Sequence, residues 1–326
     1  MNRLPRSALR SHKSAFILLA LFVSAPQAAA QTAIPPDAGG APPAAANEAA
    51  PNEITIIGRR QVSGIDVSQY LNAILAETRN GRVARWADRI CLNVVGVGND
   101  YRNYLVDRME AVAQNLRLEI VPQRPCEPSA YIIFTPDPTA LRARLEDQRP
   151  GFFGSLSGAE REAFWASAAP VRWLSSAQLR GAHGETPFSF SVDPKTGGVE
   201  RPVPGMRGTA SRLATGSRMD LQTMLVLVDT SKIAGLSNQS LADYLTMVVL
   251  GNIRPEHDVI ARESILSIFA RDRVEGAIIA DGMSDWDRAY LRSFYSGDWS
   301  VPPEQRVDRI RDSMARNLDS EHSEGR

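Results

Sequence analysis

From Cys91 to Asp147 short apolar runs alternate with helix-patterned segments, and no other feature narrows the fold as much. Cys91 to Val97 reads as a strand. Gly96-Val97-Gly98-Asn99-Asp100 then turns into a helix whose Val106, Met109, Ala113 and Leu116 share one face. Leu118 to Val121 and Tyr131 to Thr135 read as further strands, and Asp137-Pro138 forms the cap and first turn of a helix reaching about Asp147. Such alternation predicts an α+β fold, or a layered α/β one, with a mixed sheet and packed helices. The glycine turn stops short of a dinucleotide fingerprint, because Tyr101 stands where the third glycine would let the helix approach closely. Asn99 or Asp100 capping the helix is the simpler reading.

On either side of this core the pattern continues. Glu53 to Arg60 is an expected strand, followed by a helix at Val67 to Thr78. A short helix is expected at Ala159 to Ser167, a strand at Val171 to Leu174, and a buried strand at Met224 to Val228 that Asp229 ends. Helices follow at Ser240 to Gly251, Asp285 to Tyr295 and Glu304 to Leu318. The last carries Val307, Ile310, Met314 and Leu318 on one stripe, a pattern for docking onto the domain. The organisation expected is one α+β domain over 53–318, made of an N-terminal lobe at 53–180, a long loop at 181–217 and a C-terminal lobe at 218–318, with a disordered tail at 319–326. Gly181 to Ser217 holds seven Gly and four Pro, too long a stretch for a plain connection, and a hairpin around Phe188 to Val192 would shorten it. It also carries His183, a candidate functional residue of that loop.

The first thirty residues stand apart from the fold. Arg3, Arg6, Arg10 and Lys13 precede an apolar run from Ala15 to Ala25 and a small-residue end at Ala28-Ala29-Ala30, the pattern of a secretory signal peptide. The run is short of the roughly 20 residues needed to cross a bilayer, so no transmembrane segment is expected in the mature chain. Residues 31–52, rich in Ala and Pro, form an expected disordered linker. The chain as written balances 37 basic against 37 acidic residues, and loss of the segment's basic residues leaves a mildly acidic protein, which argues against nucleic acid as a partner. The expected location is the bacterial periplasm or outside the cell. The two cysteines, Cys91 and Cys126, both lie in the exported part, where oxidation favours a disulfide between them.

Chemistry-bearing motifs are scarce. The mature part has His183, His257 and His322, with no Gly-x-Ser-x-Gly elbow, no Gly-Lys-Ser/Thr loop and no His-Glu-x-x-His. His257 with its neighbours Glu256 and Asp258 would have to converge from one turn to hold a metal, which adjacent residues rarely do. No cofactor and no metal are expected.

One resemblance emerges over Val226 to Tyr295. Tyr244-Leu-Thr-Met-Val-Val-Leu-Gly251 resembles the active-site helix of metzincin-type zinc peptidases, Ser264 to Phe269 resembles their Met-turn segment, and Asp285 to Tyr295 their closing helix. The resemblance implies a degenerate zincin-like fold. Its helical His ligands would fall on Tyr244 and Val248, its general base on Leu245, its third ligand on Arg254 and its Met-turn methionine on Leu266, so the donors that zinc requires are missing. The whole chain also resembles a family of uncharacterised secreted proteins of sphingomonads and related alphaproteobacteria, on Arg218-Met-Asp220, Val228-Asp229, Ala242-Asp243-Tyr244 and Asp287-Arg-Ala-Tyr-Leu291. The expectation is an exported, non-catalytic protein that binds a protein or small-ligand partner. The alternative is a secreted hydrolase with an unrecognised active site.

Overall fold

A computed structural model of the chain describes residues 64–76, 82–122, 126–148, 157–186, 188–189, 203–204, 217–255, 264–269, 281–297 and 301–324, all within the compact unit Gly58–Arg326. The expected signal peptide, linker and strand at Glu53 to Arg60 lie outside the described residues, as do His257 with its neighbours and most of 181–217. In chain order the elements are α1 (Gly64–Ile74), β1 (Ala84–Arg85), β2 (Ile90–Val95), α2 (Asn99–Asn115), β3 (Ile120–Pro122), β4 (Ala130–Thr135), α3 (Pro138–Gln148) and α4 (Gly158–Ala166). Then come β5 (Val171–Gly181), β6 (Phe188–Ser189), β7 (Val203–Pro204), β8 (Ser217–Asp229), α5 (Asn238–Gly251), α6 (Asp285–Tyr295) and α7 (Pro303–Glu324).

The main sheet is built around β8. Its second half pairs parallel with β4 and antiparallel with β5, and β2 and β3 continue the parallel part beyond β4. Because β5 follows β8 along its whole length, β1 takes the other flank, pairing parallel with the start of β8. Alternating strand side chains feed two cores. Leu92, Val94, Ile132, Val226 and Val228 pack with α1, α2, α5, α6 and α7 on one face. Leu225, Leu227, Ile133 and Leu174 pack with Leu141 and Leu145 of α3 and Phe164 and Trp165 of α4 on the other. The result is a layered α/β structure dominated by parallel strands.

Several expectations need correction in detail. On α2 the fully buried stripe is Leu105, Met109 and Ala113, with Val106 only partly buried beside it, since residues four apart share a helical face. Neither Asn99 nor Asp100 caps α2. Its N-cap is Gly98, and Asn99 Oδ1 instead accepts a hydrogen bond from Arg102 Nη1 at 3.0 Å. Asp137 does cap α3, accepting from the amides of Thr139 and Ala140. The strand expected to stop at Leu174 runs on to Gly181, and the strand expected from Met224 begins at Ser217. A bulge links these two corrections: Ser176 faces Thr223 while Ala177 faces Leu221, leaving Gln222 as the extra residue. Phe188–Ser189 pairs with Val203–Pro204 rather than within a local hairpin. α7 continues to Glu324, so the tail expected from 319 is helical for most of its length.

Candidate functional site

The positions picked out by the zincin resemblance lie inside the molecule. Tyr244 is 2% exposed, Leu245 and Val248 0%, and Leu266 1%. Every residue of α5 from Ser240 to Gly251 is buried, the behaviour of a helix that is apolar on all sides. Tyr244 is wedged edge-on between Trp173 and Phe269, and burial pushes its phenol pKa up. Arg254, just past the left-handed Asn252 that ends α5, gives its guanidinium to the carbonyl of Leu75, Nη2 to oxygen 2.9 Å, which ties it to the end of α1. The structure thus gathers these residues into packing and chain-joining roles.

Two buried carboxylates near α5 also act as joints. Asp243 takes Arg108 of α2 through Nε and Nη2, and accepts from the backbone N–H of Met283 at 2.7 Å. Asp287, fully buried at the start of α6, accepts from the Tyr70 hydroxyl at 3.0 Å, the Ser264 hydroxyl at 2.5 Å and the Ile265 N–H at 2.8 Å. It also accepts from the N–H and hydroxyl of Ser284, its own capping-box partner. Desolvation holds its carboxyl above the ordinary aspartate range. Acceptor sites filled by protein donors leave no room for a substrate.

Topology marks a candidate place for a ligand. The chain leaves β2 into α2 on one face and then into β3. It leaves β4, on the other side of β2, into α3 on the opposite face. Connections diverging from adjacent parallel strands part the backbone at their carboxyl ends, the place where open α/β sheets take ligands. Here that edge is made of Gly96-Val97-Gly98 after β2, Thr135-Pro136-Asp137 after β4, and Asp229 at the end of β8. Gly96 is fixed by its place: its φ is +87°, and a Cβ there would stand 2.0 Å from the carbonyl oxygen of Phe134. Gly98 has open space around it, and α2 begins without a side-chain cap.

Side chains at the edge are aromatic and rich in donors. Tyr104 stacks on Tyr101, with ring centroids 6.2 Å apart, and Tyr101 meets the Phe134 ring edge-on. Tyr104 and Val95, each 37% exposed, are the exposed large hydrophobic side chains among the described residues. The Tyr101 hydroxyl and Arg102 Nε, both buried, have no hydrogen-bond partner among the described residues. No family model, curated protein or solved structure matches the chain.

The remaining predicted residues lie elsewhere. His183 is exposed on the turn after β5, its backbone N–H donating to Glu185 Oε2 at 3.1 Å. That turn sits at the amino end of β8, where Gly181 pairs with Ser217, about 40 Å along the strand from Asp229 at the usual rise per residue. Cys91 and Cys126 are joined by a disulfide, with Cα atoms 5.9 Å apart. Tyr104 escaped the sequence reading, while Tyr101 entered it only as the residue that breaks a glycine fingerprint and Asp137 only as a helix cap. The signal within reach was Gly96 and Gly98 before a helix. The partner turn becomes evident only with the strand order.

Proposed function

We propose that the chain is an exported, non-catalytic binding protein that holds a small ligand at the carboxyl edge of its sheet. The divergence of α2 and α3 from adjacent strands carries this reading. Tyr104 and Tyr101 offer a flat apolar face, and the Tyr101 hydroxyl and Arg102 Nε are donors awaiting an acceptor, so the ligand class is a small planar molecule bearing a carboxylate or carbonyl. Export is supported by the N-terminal pattern of charge, apolar run and small residues. The Cys91–Cys126 disulfide is compatible with an extracytoplasmic protein, and no helix among the described residues is long and apolar enough to cross a membrane. The zincin resemblance enters as a proposal about descent, supported by the order β8, α5, the 3-10 turn Ile265–Phe269 and α6. Burial of Tyr244 and Val248 supports a scaffold without peptidase chemistry.

A thermal-shift screen of aromatic carboxylates, nucleosides and cyclic amides tests the reading. Wild type is compared with Tyr104→Ala and with Gly98→Asp, which has room for its side chain and places a carboxylate over the first turn of α2. Compounds that raise the midpoint of wild type and of neither variant are expected. Equal shifts in all three proteins would move the site elsewhere. Turnover of chromogenic ester, glycoside or peptide substrates would favour the hydrolase alternative.

A further inference from the structure

The main sheet ends in two edge strands that differ in kind. β3 is three residues long and closes on Pro122, which has no N–H to offer a further strand. β5 is eleven residues long, pairs with β8 alone among the described residues, and contains neither Pro nor Lys. Its charged residues, Arg172 and Arg180, stand near its ends, so 173–179 carries no charge. A long, uncharged edge is an open template for another strand.

Hydrogen bonding fixes which groups that template presents. The Pro170 carbonyl accepts from the Asp229 N–H at 2.8 Å, so it turns toward β8. Main-chain direction alternates along an antiparallel strand, which turns the N–H and C=O of Ser175, Ala177 and Leu179 away from β8. Gly181, in the same phase, agrees: its N–H donates outside the ladder, to the Glu185 carbonyl at 2.7 Å. The bulge lies in β8, at Gln222, so β5 keeps its phase past Ser176. Among the described residues no group bonds the main chain of Ser175, Ala177 or Leu179 on that outer side.

Side chains state what an added strand must carry. Ser176, Gln178 and Arg180 share one face, and Ser175, Ala177 and Leu179 the other, where Ala177 packs on the larger core. Arg180 stands directly opposite Arg218, and like charges so placed repel. Asp220 is taken by Arg218 at 2.9 Å, whereas Arg180 meets, among the described residues, the neutral amide oxygen of Gln222 at 3.3 Å. A strand laid on the outer side of β5 brings a residue opposite Arg180 from the other flank, and a carboxylate there offsets the repulsion. We infer that the outer edge of β5 is a docking site for an extended segment of a partner protein, alternating apolar and acidic residues, which adds to the sheet beside Ser175 to Arg180. The apolar side chains of the segment continue the face of Ala177 and Leu179, and its acidic ones the face of Gln178 and Arg180. A second copy of β5 has no carboxylate to set against Arg180, so charge favours a different partner.

Fluorescence anisotropy with the purified protein tests this, the probe being a labelled peptide of about seven alternating Val and Glu residues. It is compared with the same peptide carrying Lys for Glu and with the Val–Glu peptide N-methylated at every amide. Ala177→Pro removes an outward N–H and spares the ladder to β8, and circular dichroism checks its folding. Arg180→Gln removes the charge, and Arg144→Gln, on the exposed surface of α3, is the control. The expected result is saturable binding of the Val–Glu peptide, weakened about three- to fivefold by Arg180→Gln, further by Lys for Glu, and unchanged by Arg144→Gln. Binding should be lost with the methylated peptide and with Ala177→Pro. Absence of saturable binding, binding that survives N-methylation, or equal losses in Arg180→Gln and Arg144→Gln would overturn the inference. Self-association in sedimentation that Ala177→Pro abolishes would overturn it too, by giving the edge to a second copy.

Discussion

Asp287 shows how much one buried carboxylate organises. It joins α1 through Tyr70, the Ser264 segment through a hydroxyl and an amide, and α6 through Ser284. Asp287→Ala leaves these buried donors unpaired and should lower stability by about 3 kcal/mol or more, measured as a shift in urea unfolding. The pH dependence has a definite sign. Burial raises the carboxyl in the folded state, so folding takes up a proton above the ordinary aspartate range, and the stability Asp287 contributes falls as pH rises through that window. Asp287→Asn should flatten this part of the profile, and a slope identical to wild type would mean another group produces it. In the sequence the Ser284-x-x-Asp287 spacing is legible as a capping box. That Tyr70, 217 residues away, donates to the other oxygen of the same carboxylate is a product of packing and has no local signature.

Among the elements, α5 and the carboxyl end of β2 show opposite degrees of legibility. The apolar run from Leu241 to Leu250 announces a buried helix, and Ser237 as its N-cap and Asn252 as its left-handed end lie where such signals belong. Burial on all sides decides what its Tyr244 and Val248 can become. Tyr244→His with Val248→His puts two imidazoles into packed apolar surroundings and should cost about 3–5 kcal/mol by urea unfolding. Metal analysis of any folded fraction should show no zinc, and stoichiometric zinc in a folded protein would revive the zincin layout. At the end of β2 the strained residue is Gly96, where alanine must adopt a positive φ and displace the Phe134 carbonyl. Gly96→Ala should destabilise by at least about 2 kcal/mol while Gly98→Ala stays near wild type, both read from thermal midpoints. The full length of β8 was hidden because the Gln222 bulge shifts its inward positions from Met219 and Leu221 to Met224, Val226 and Val228. A pattern that changes phase does not read as one strand.

At the level of the whole molecule, the layered α/β class follows from the alternation of elements, whereas the order of strands does not. Which side of β2 receives β3 and which receives β4 depends on how α2 and the β3–β4 connection cross the sheet, and no residue type records that choice. The disulfide acts on this point of the topology. Cys126 lies in the connection that carries the chain from β3, past β2, to β4, and Cys91 lies within β2 itself. Ser129 adds a second tie: its N–H donates to the Cys91 carbonyl at 2.9 Å, and its hydroxyl accepts from the Cys91 N–H at 3.1 Å. The bond closes a sequence separation of 35, worth up to about 4 kcal/mol through the entropy of the unfolded chain. Hydrogen bonds already hold the register, so Cys91→Ala with Cys126→Ala should keep the same sheet and unfold at lower urea. Wild type in reductant should match the double variant to within about 1 kcal/mol, because both lose the same constraint and differ only in the small volume of two sulfur atoms. Unchanged stability on reduction would show that the hydrogen bonds alone secure the crossing. A double variant that lost its circular-dichroism signature would show instead that the covalent tie is what keeps β2 between β3 and β4, and with it the divergence of helices at the carboxyl edge.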